Sequence, residues 1–503
     1  MASFRAGMET GFERFGELVF RHSVRTLLLV ALLAGGLISQ LPWITFDTST
    51  ESFFHPDDPA LIDYNAFREQ FGRDQFIVIA VKPPDVFERA FLEKLKVFHD
   101  RLVEKVPHLK EVNSLINIRD TRGEGDTLVV EDLLKTLPAT PQAMAALKKR
   151  VLSSNLYPNL IISEDGRFTT VLLETHAFSG AGGDGDDAAD LTSGFDDEEA
   201  GGKEAAGKEA GEKGAGEALP LLSDAENTAV IKAVEGVTKE FEGPRFRLFV
   251  AGAPAVTTYL KRAMQENMRR FVGLALLAIA AFLLILFRRL SGVFLPMLVV
   301  ILSLASTVGL MSLTGVSFKL PLMILPTFLL AVGIGASVHL LVIFFRHYDR
   351  EGNKAAALKY ALGHSGLPIL MTSITTAAGL LSFSTASLAA VADLGKFAAA
   401  GVGLSLVYTL AMVPALLALL PVRRGARSGR ASGAAARPPL ADRVLSGLGR
   451  FATTRPWTVL AASLLIVVGG SAGLANLKFS HNNLLWFPAD SPIRLSTELI
   501  DRE

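Results

Sequence analysis

The feature that most constrains this chain is a set of seven apolar stretches, each long enough to cross a bilayer. They are Thr26–Ile44, Phe271–Phe287, Gly292–Leu313, Leu320–Phe345, Leu367–Ser387, Lys396–Leu420 and Pro456–Leu474. A helix rises about 1.5 Å per residue, so roughly 17–25 apolar residues match the hydrocarbon layer. Composition agrees. Half of the 503 residues are hydrophobic, 20% are charged, and mean hydropathy is +0.36, whereas soluble domains carry about a quarter of charged residues. The first stretch ends Gly35-Gly36-Leu37-Ile38-Ser39-Gln40-Leu41-Pro42 without a small-x-small cleavage site. It is also long for a signal-peptide core, so it reads as an uncleaved anchor. The chain is expected to be a polytopic α-helical membrane protein.

Basic residues set the expected orientation. Arg5, Arg14, Arg21 and Arg25 precede the first span, and Arg288 and Arg289 lie between the second and third. Arg346, Arg350, Lys354 and Lys359 follow the fourth span. The sixth is followed by an arginine-rich link from Arg423 to Arg455 whose single acid is Asp442. The alternate loops, around Lys319 and Asp393, are nearly uncharged. The N-terminus, residues 1–25, is thus expected in the cytoplasm, and the large segment 45–270 outside it.

That segment is too long for a connector. Phe76–Val81, Phe168–Glu174 and Phe246–Ala251 read as strands, and Val86–Val106 and Asp224–Phe241 as helices. Strands alternating with helices predict a compact α/β or α+β domain. A helix from near Pro254 is expected to run into the second span. Residues 179–218 break the pattern: within 184–217, twelve acids face three lysines. Such a stretch buries too little apolar surface to offset chain entropy and reads as a solvated insertion, without the ligand spacing of a calcium loop.

The C-terminal segment echoes the N-terminal one. Phe46 to Pro59, with Phe53-Phe54 and Pro56-Asp57-Asp58-Pro59, follows the first span. Phe479 to Pro492, with Trp486-Phe487 and Pro488-Ala489-Asp490-Ser491-Pro492, follows the seventh. Parallel repeats of this kind are common in transporters. Residues 475–503 are expected to begin a second external domain, and the sequence to be the N-terminal portion of a longer chain.

This layout resembles the resistance-nodulation-division superfamily, and within it the MMPL-type exporters with a sterol-sensing-domain-like bundle. The local matches are Gly333-Ile334-Gly335-Ala336-Ser337-Val338-His339 with Phe345-Arg346-His347-Tyr348, Gly366-Leu367-Pro368-Ile369 with Thr372-Ser373-Ile374-Thr375-Thr376, and Asp393-Leu394-Gly395-Lys396-Phe397. The resemblance implies a porter-like domain over 45–270 and a five-span bundle over 271–421. A basic cytoplasmic linker over 422–455 and a seventh span at 456–474 complete it. It also implies a proton-driven pump for lipids or other hydrophobic molecules, located in a bacterial inner membrane.

A proton-coupled pump needs a titratable group inside the membrane, where such groups are costly. The family commonly places an aspartate near Ala336 or Ser337, yet no Asp or Glu occurs in spans two to six. His339 is the remaining candidate, either as a proton relay or as a hydrogen-bond donor to a neighbouring helix. Ser337, two residues away, does not share its face. Thr372, Thr375 and Thr376 share one face of the fifth span and either line a proton path or allow close packing. Asp393 is expected in an external turn, as a surface or capping residue or as a proton-uptake group. Pro326 and Pro414 are read as kink positions within the fourth and sixth spans, and Arg346–His364 as an amphipathic helix along the inner face.

The balance of fifty basic and fifty acidic residues points to no nucleic-acid partner. The absence of cysteine excludes thiolate metal sites and cysteine nucleophiles. No nucleophile–base pair, metal-ligand spacing or phosphate loop stands out, so neither an enzyme nor a cofactor is expected. The expected partners are a lipid substrate, membrane lipids, protons, and a second transporter half on the same longer chain or on a partner subunit, with homo-oligomerisation open. The alternative is a lipid- or sterol-binding sensor or assembly factor of the same architecture that does not pump.

Overall fold

The computed structural model describes residues 2–71, 76–124, 127–154, 156–176, 222, 224–422, 440–474, 476–477 and 483–502. The acidic insertion and the basic residues 423–439 lie outside the described residues.

The chain opens with two helices, α1 (Ala2–Arg21) and α2 (Ser23–Ile38). The short strand β1 (Phe46–Asp47) and helix α3 (Pro59–Phe71) follow. A sheet unit then forms from β2 (Phe76–Lys82), α4 (Arg89–Lys105), β3 (Leu109–Asn113), the hairpin β4 (Arg119–Glu124) and β5 (Thr127–Asp132), α5 (Pro141–Leu152), β6 (Thr169–Thr175), α6 (Asp224–Phe241) and β7 (Arg247–Ala251). Its main sheet has the order β3-β6-β2-β7, with every neighbouring pair antiparallel. β2 is central because Ile77, Ile79, Ala80 and Val81 are all buried. The apolar face of α4 follows helical spacing through Phe91, Leu92, Leu95, Phe98 and Leu102. It shares a core with Val230, Ile231, Val234 and Val237 of α6. The three strands and two helices expected here are all present. β3, the β4–β5 hairpin, α3 and α5 were not anticipated.

The transition from sheet to membrane rests on Gly252. Its φ is +100°, and a Cβ there would stand 2.1 Å from the carbonyl oxygen of Phe76, so only glycine fits. From there α7 (Ala253–Phe287) runs unbroken for 35 residues, from the sheet unit to the end of the second span. The bundle continues with α8 (Leu290–Leu313), β8 (Phe318–Lys319), α9 (Ile324–Glu351), α10 (Lys354–Leu381), α11 (Ala389–Val407) and α12 (Val413–Leu419). A π-helical turn, Tyr408–Met412, joins the last two. After the undescribed stretch come α13 (Leu440–Thr454), α14 (Pro456–Leu474) and α15 (Pro492–Arg502). Among the described residues, seven helices are long and apolar enough to cross a membrane, and they coincide with the seven expected spans.

Several local expectations change. No single helix covers Arg346–His364. Gly352 takes the left-handed conformation that ends α9, with φ +74°, and the Asn353 side chain accepts hydrogen bonds from the backbone N–H groups of Ala355 and Ala356 to start α10. Pro326 is the third residue of α9, where its missing N–H disrupts nothing. Part of the basic linker is helical, as α13.

The sequence echo has a structural counterpart. α1, α2 and α3 are matched in order by α13, α14 and α15, with a 3-10 turn before each third helix, at Glu51–Phe53 and Asn483–Trp486. Ser23 and Pro456 start the two spans, and Pro59 and Pro492 start the helices beyond them, at one constant sequence separation. Their surroundings differ. α1 packs along α10, and α2 along α8, while α14 has no buried residue. Residues 483–502, expected to open a second domain, lie against the first sheet unit. Phe487 and Ile493 enter its core, and the Phe487 ring meets Tyr259 of α7 at 5.5 Å.

Candidate functional site

Three spans place small and hydroxylated residues at intervals of three or four, and these faces meet in the bundle core. α8 contributes Ser303, Ser306 and Thr307; α9 contributes Gly333 and Ser337; α11 and the π-turn contribute Gly401, Ser405, Tyr408 and Thr409. All are buried. Small residues let helices approach closely, and hydroxyls supply polar contacts that hydrocarbon cannot.

Most of these hydroxyls are satisfied locally. Ser303 donates to the Val299 carbonyl at 2.8 Å, Thr307 to Ser303 at 2.7 Å, and Ser337 to Ile334 at 2.9 Å. One bond crosses between helices: the Ser306 and Tyr408 hydroxyls lie 2.7 Å apart. Ser405 and Thr409 differ, because both side-chain oxygens are buried without a hydrogen-bond partner among the described residues. Leaving such a group unpaired costs about 1–3 kcal/mol.

The backbone beside them is also irregular. The Val413 N–H bonds to the Tyr408 carbonyl, five residues back. The next donor in that register would be residue 414, a proline without an N–H. The Thr409 carbonyl is therefore left without a ladder donor. Single π-turns of this kind recur at functional sites. Thr409 lies roughly 15 Å from Leu419 at 1.5 Å per residue, close to the middle of a hydrocarbon layer about 30 Å thick.

The residues singled out from sequence are placed elsewhere, apart from Ser337. His339 is exposed on the outside of α9, while Ser337 is fully buried on the opposite side, and Ala336 is half-buried between them. Thr372 and Thr375 are exposed on α10 and donate to their own helix, to Pro368 at 2.8 Å and Met371 at 2.9 Å; Thr376 is half-buried. Asp393 is not in a turn. It lies in the second turn of α11, is buried, and accepts a hydrogen bond from Lys319 at 2.8 Å, with Lys396 at 3.6 Å. Burial follows from the position of Lys319 on β8. That strand pairs in parallel with β1, setting Phe46 opposite Phe318, and Thr45 meets Ser317 at 2.7 Å. The ion pair thus closes the domain-facing end of the bundle.

Ser306, Tyr408 and Thr409 were missed by sequence reasoning. Their signal was the spacing shared by Ser303/Thr307, Gly333/Ser337 and Gly401/Ser405/Thr409, which is visible only when the three spans are compared.

Between α7 and α9 lies an apolar cleft of about 380 Å³, lined by Ala278, Ile279, Phe282, Leu283, Ile334, Gly335 and Val338. Its volume falls in the range of small-molecule sites. Gly335 and His339 are one helical turn apart, so the imidazole shares the face of α9 that lines the cleft.

Comparison with known proteins places this bundle. Residues 218–459, from just before α6 to the start of α14, match the MMPL family. The chain carries an MMPL family region. A Methanocaldococcus jannaschii chain named as a membrane protein is 22% identical over 414 residues, covering 78% of this chain and 89% of that one. The hopanoid transporter HpnN of Rhodopseudomonas palustris is 26% identical over 184 residues, covering 37% of this chain and 19% of that protein. With seven apolar helices among its described residues, the protein is a multi-pass membrane protein, and residues 218–459 are similar to the MMPL family. The hydroxyl cluster, the π-turn and the α7–α9 cleft all fall within the MMPL region.

Proposed function

We propose that the protein moves lipids or other hydrophobic compounds across or out of a bacterial inner membrane, through alternating conformations driven by the proton gradient. The observation that carries this reading is the continuity of α7. One helix belongs to the sheet unit through Pro254, Ala255 and Thr258, borders the apolar cleft through Ala278 to Leu283, and lies within the MMPL region. Rocking of the sheet unit is transmitted along it to a lipid-sized groove. The hopanoid transporter among its relatives supports a polycyclic lipid as substrate.

In this reading the N-terminus and α13 are cytoplasmic and the sheet unit is periplasmic. A second transporter half, on the same longer chain or on a partner subunit, covers α14 and supplies a coupling carboxylate. Membrane lipids surround the exposed faces, and a second copy of the chain is the other source of cover for α14. The non-pumping sensor is favoured by one observation: the apolar stretches 271–287, 292–313, 320–345, 367–387 and 396–420 hold no Asp or Glu, and Asp393 near the start of α11 is paired with Lys319.

The test is reconstitution of the full chain in proteoliposomes with a fluorescent polycyclic lipid. Lipid movement that accelerates when a proton gradient is imposed supports the pump. Saturable lipid binding without gradient-dependent movement supports the sensor. Orientation is testable because the sequence has no cysteine: in intact cells, Ser153→Cys should react with an impermeant thiol reagent, and Ser446→Cys should react only after lysis.

A further inference from the structure

The cleft between α7 and α9 opens to the surrounding bilayer, since Phe282 and Gly335 in its lining are exposed. The exposed side of α9 continues from Gly335 through His339 and Val342 to Arg346, each about one turn after the last. Along α7 the exposed residues run from Phe282 through Ile285 to Arg288, where the helix ends. Aromatic and charged contacts close the floor between these two stripes. The Phe287 and Phe345 rings lie 5.7 Å apart, the Arg289 guanidinium sits 4.9 Å over the Phe345 ring, and Arg289 is paired with Asp349. Arg288 and Arg346 are the chain neighbours of Arg289 and Phe345, so an exposed arginine stands on each side of that floor.

Charge at this end of the groove is one-sided. Arg288, Arg346 and Arg350 are exposed and form no ion pair among the described residues. The local acids are already held, Asp349 by Arg289 and Glu351 by His347 at 2.9 Å. The opposite end differs, because α9 carries no charge from Ile324 to Val338. Depth is also informative. Leu283 precedes Arg288 by five residues and Val338 precedes Arg346 by eight, which places the cleft roughly 8–12 Å from the arginines at 1.5 Å per residue. Half of the hydrocarbon layer is about 15 Å, so the cleft lies at acyl-chain depth for a lipid whose phosphate meets the arginines. Guanidinium groups bind phosphate oxygens through paired N–H donors, and the unbalanced positive charge calls for a net negative headgroup.

We propose that this groove holds one anionic phospholipid of the cytoplasmic leaflet, with an acyl chain in the α7–α9 cleft and its phosphate on Arg288 and Arg346. The inference deepens the proposed function, and rests on it in taking the cleft as a lipid site and the end of α9 as cytoplasmic.

The test is native mass spectrometry of the full chain after equilibration with phosphatidylglycerol or phosphatidylcholine. One retained phosphatidylglycerol is expected, with an apparent affinity about tenfold or more above that for phosphatidylcholine. Arg288→Gln with Arg346→Gln should remove this preference. Arg443→Gln with Arg450→Gln, an equal loss of charge on α13, should keep it. Gly335→Leu is an independent variant, because a Cβ at Gly335 meets nothing within 4 Å; the added side chain occupies the cleft and should lower phosphatidylglycerol retention. If the double arginine variant does not fold, Arg346→Gln and Gly335→Leu decide. Equal retention of the two lipids, or a preference unchanged in these variants, would overturn the proposal. Glycerol phosphate that binds as tightly as the lipid would mean a soluble phosphate site and would overturn it too. Phosphatidylglycerol preference without gradient-driven movement of the polycyclic lipid would remove the transport reading and leave this site standing, and that movement without the preference would do the reverse.

Discussion

Two sets of hydroxyls inside the membrane helices look alike in sequence and behave differently in structure. Thr372 and Thr375 on α10 are exposed and donate to carbonyls of their own helix. Ser405 and Thr409 on α11 and the π-turn are buried and have no such partner. Spacing is close to one turn in both sets, three residues in the first and four in the second. The difference comes from the backbone and from the neighbour. α10 stays α-helical through its threonines, with Pro368 one turn before Thr372, whereas a π-turn and Pro414 adjoin Thr409, and α9 packs against Ser405 through Gly333. Hydroxyl content therefore says little about a membrane site unless the local backbone and the facing helix are known.

The contrast can be strained from several directions. The largest effect is expected at the buried side's domain-facing end. Asp393→Ala would leave the half-buried Lys319 without its carboxylate partner, costing about 3 kcal/mol, and should show as a loss of folded protein in thermal unfolding. Gly309→Val comes next. A Cβ at this position would stand 1.9 Å from the Leu37 carbonyl oxygen, so the first span must move off α8. Overpacking of this sort costs about 1–3 kcal/mol. Tyr408→Phe should cost about 1–2 kcal/mol by orphaning Ser306, and Ser306→Ala combined with it should recover part of that loss. The smallest change belongs to α10: Thr372→Val with Thr375→Val should alter stability by less than about 0.5 kcal/mol. A loss as large as that of Tyr408→Phe would erase the distinction between the two faces.

A separate pH response is expected from the sheet unit. His99 is buried beside Ser114, with Nδ1 at 2.9 Å, and burial holds its pKa below the ordinary 6.5, against a smaller opposing pull from Asp100. The folded state prefers the neutral imidazole, so its contribution is present above about 6.5 and is lost as pH falls through the lowered folded value. His99→Gln should flatten this pH dependence, as seen by thermal unfolding between neutral and mildly acidic pH.

Much of the architecture was legible because lipid imposes a simple rule on sequence. Each span needs a long apolar run, so all seven could be located, and the strands at Phe76, Thr169 and Arg247 stood out as apolar runs between turn residues. Edge elements were harder. β4 and β5 read Arg119–Glu124 and Thr127–Asp132, too polar and charged to signal strands, and α1 is moderately amphipathic and contains three glycines. The site was less legible still. Asp393 follows an uncharged loop, and only its contact with Lys319, distant in sequence, draws it into a buried pair. His339 reads as a titratable group within the membrane, but which side of α9 faces the bundle depends on α8 and α11. The π-turn at Tyr408–Met412 has no compositional mark other than the proline after it.

The most direct test of the central claim is gradient-driven lipid movement in proteoliposomes by wild type, Thr409→Val and the Thr372→Val/Thr375→Val double variant, with lipid binding measured in parallel. The account predicts that all three bind lipid and that Thr409→Val, which alters the buried face beside the π-turn, alone loses the acceleration produced by an imposed proton gradient. Equal acceleration in Thr409→Val and wild type, or its loss in the double variant instead, would contradict it.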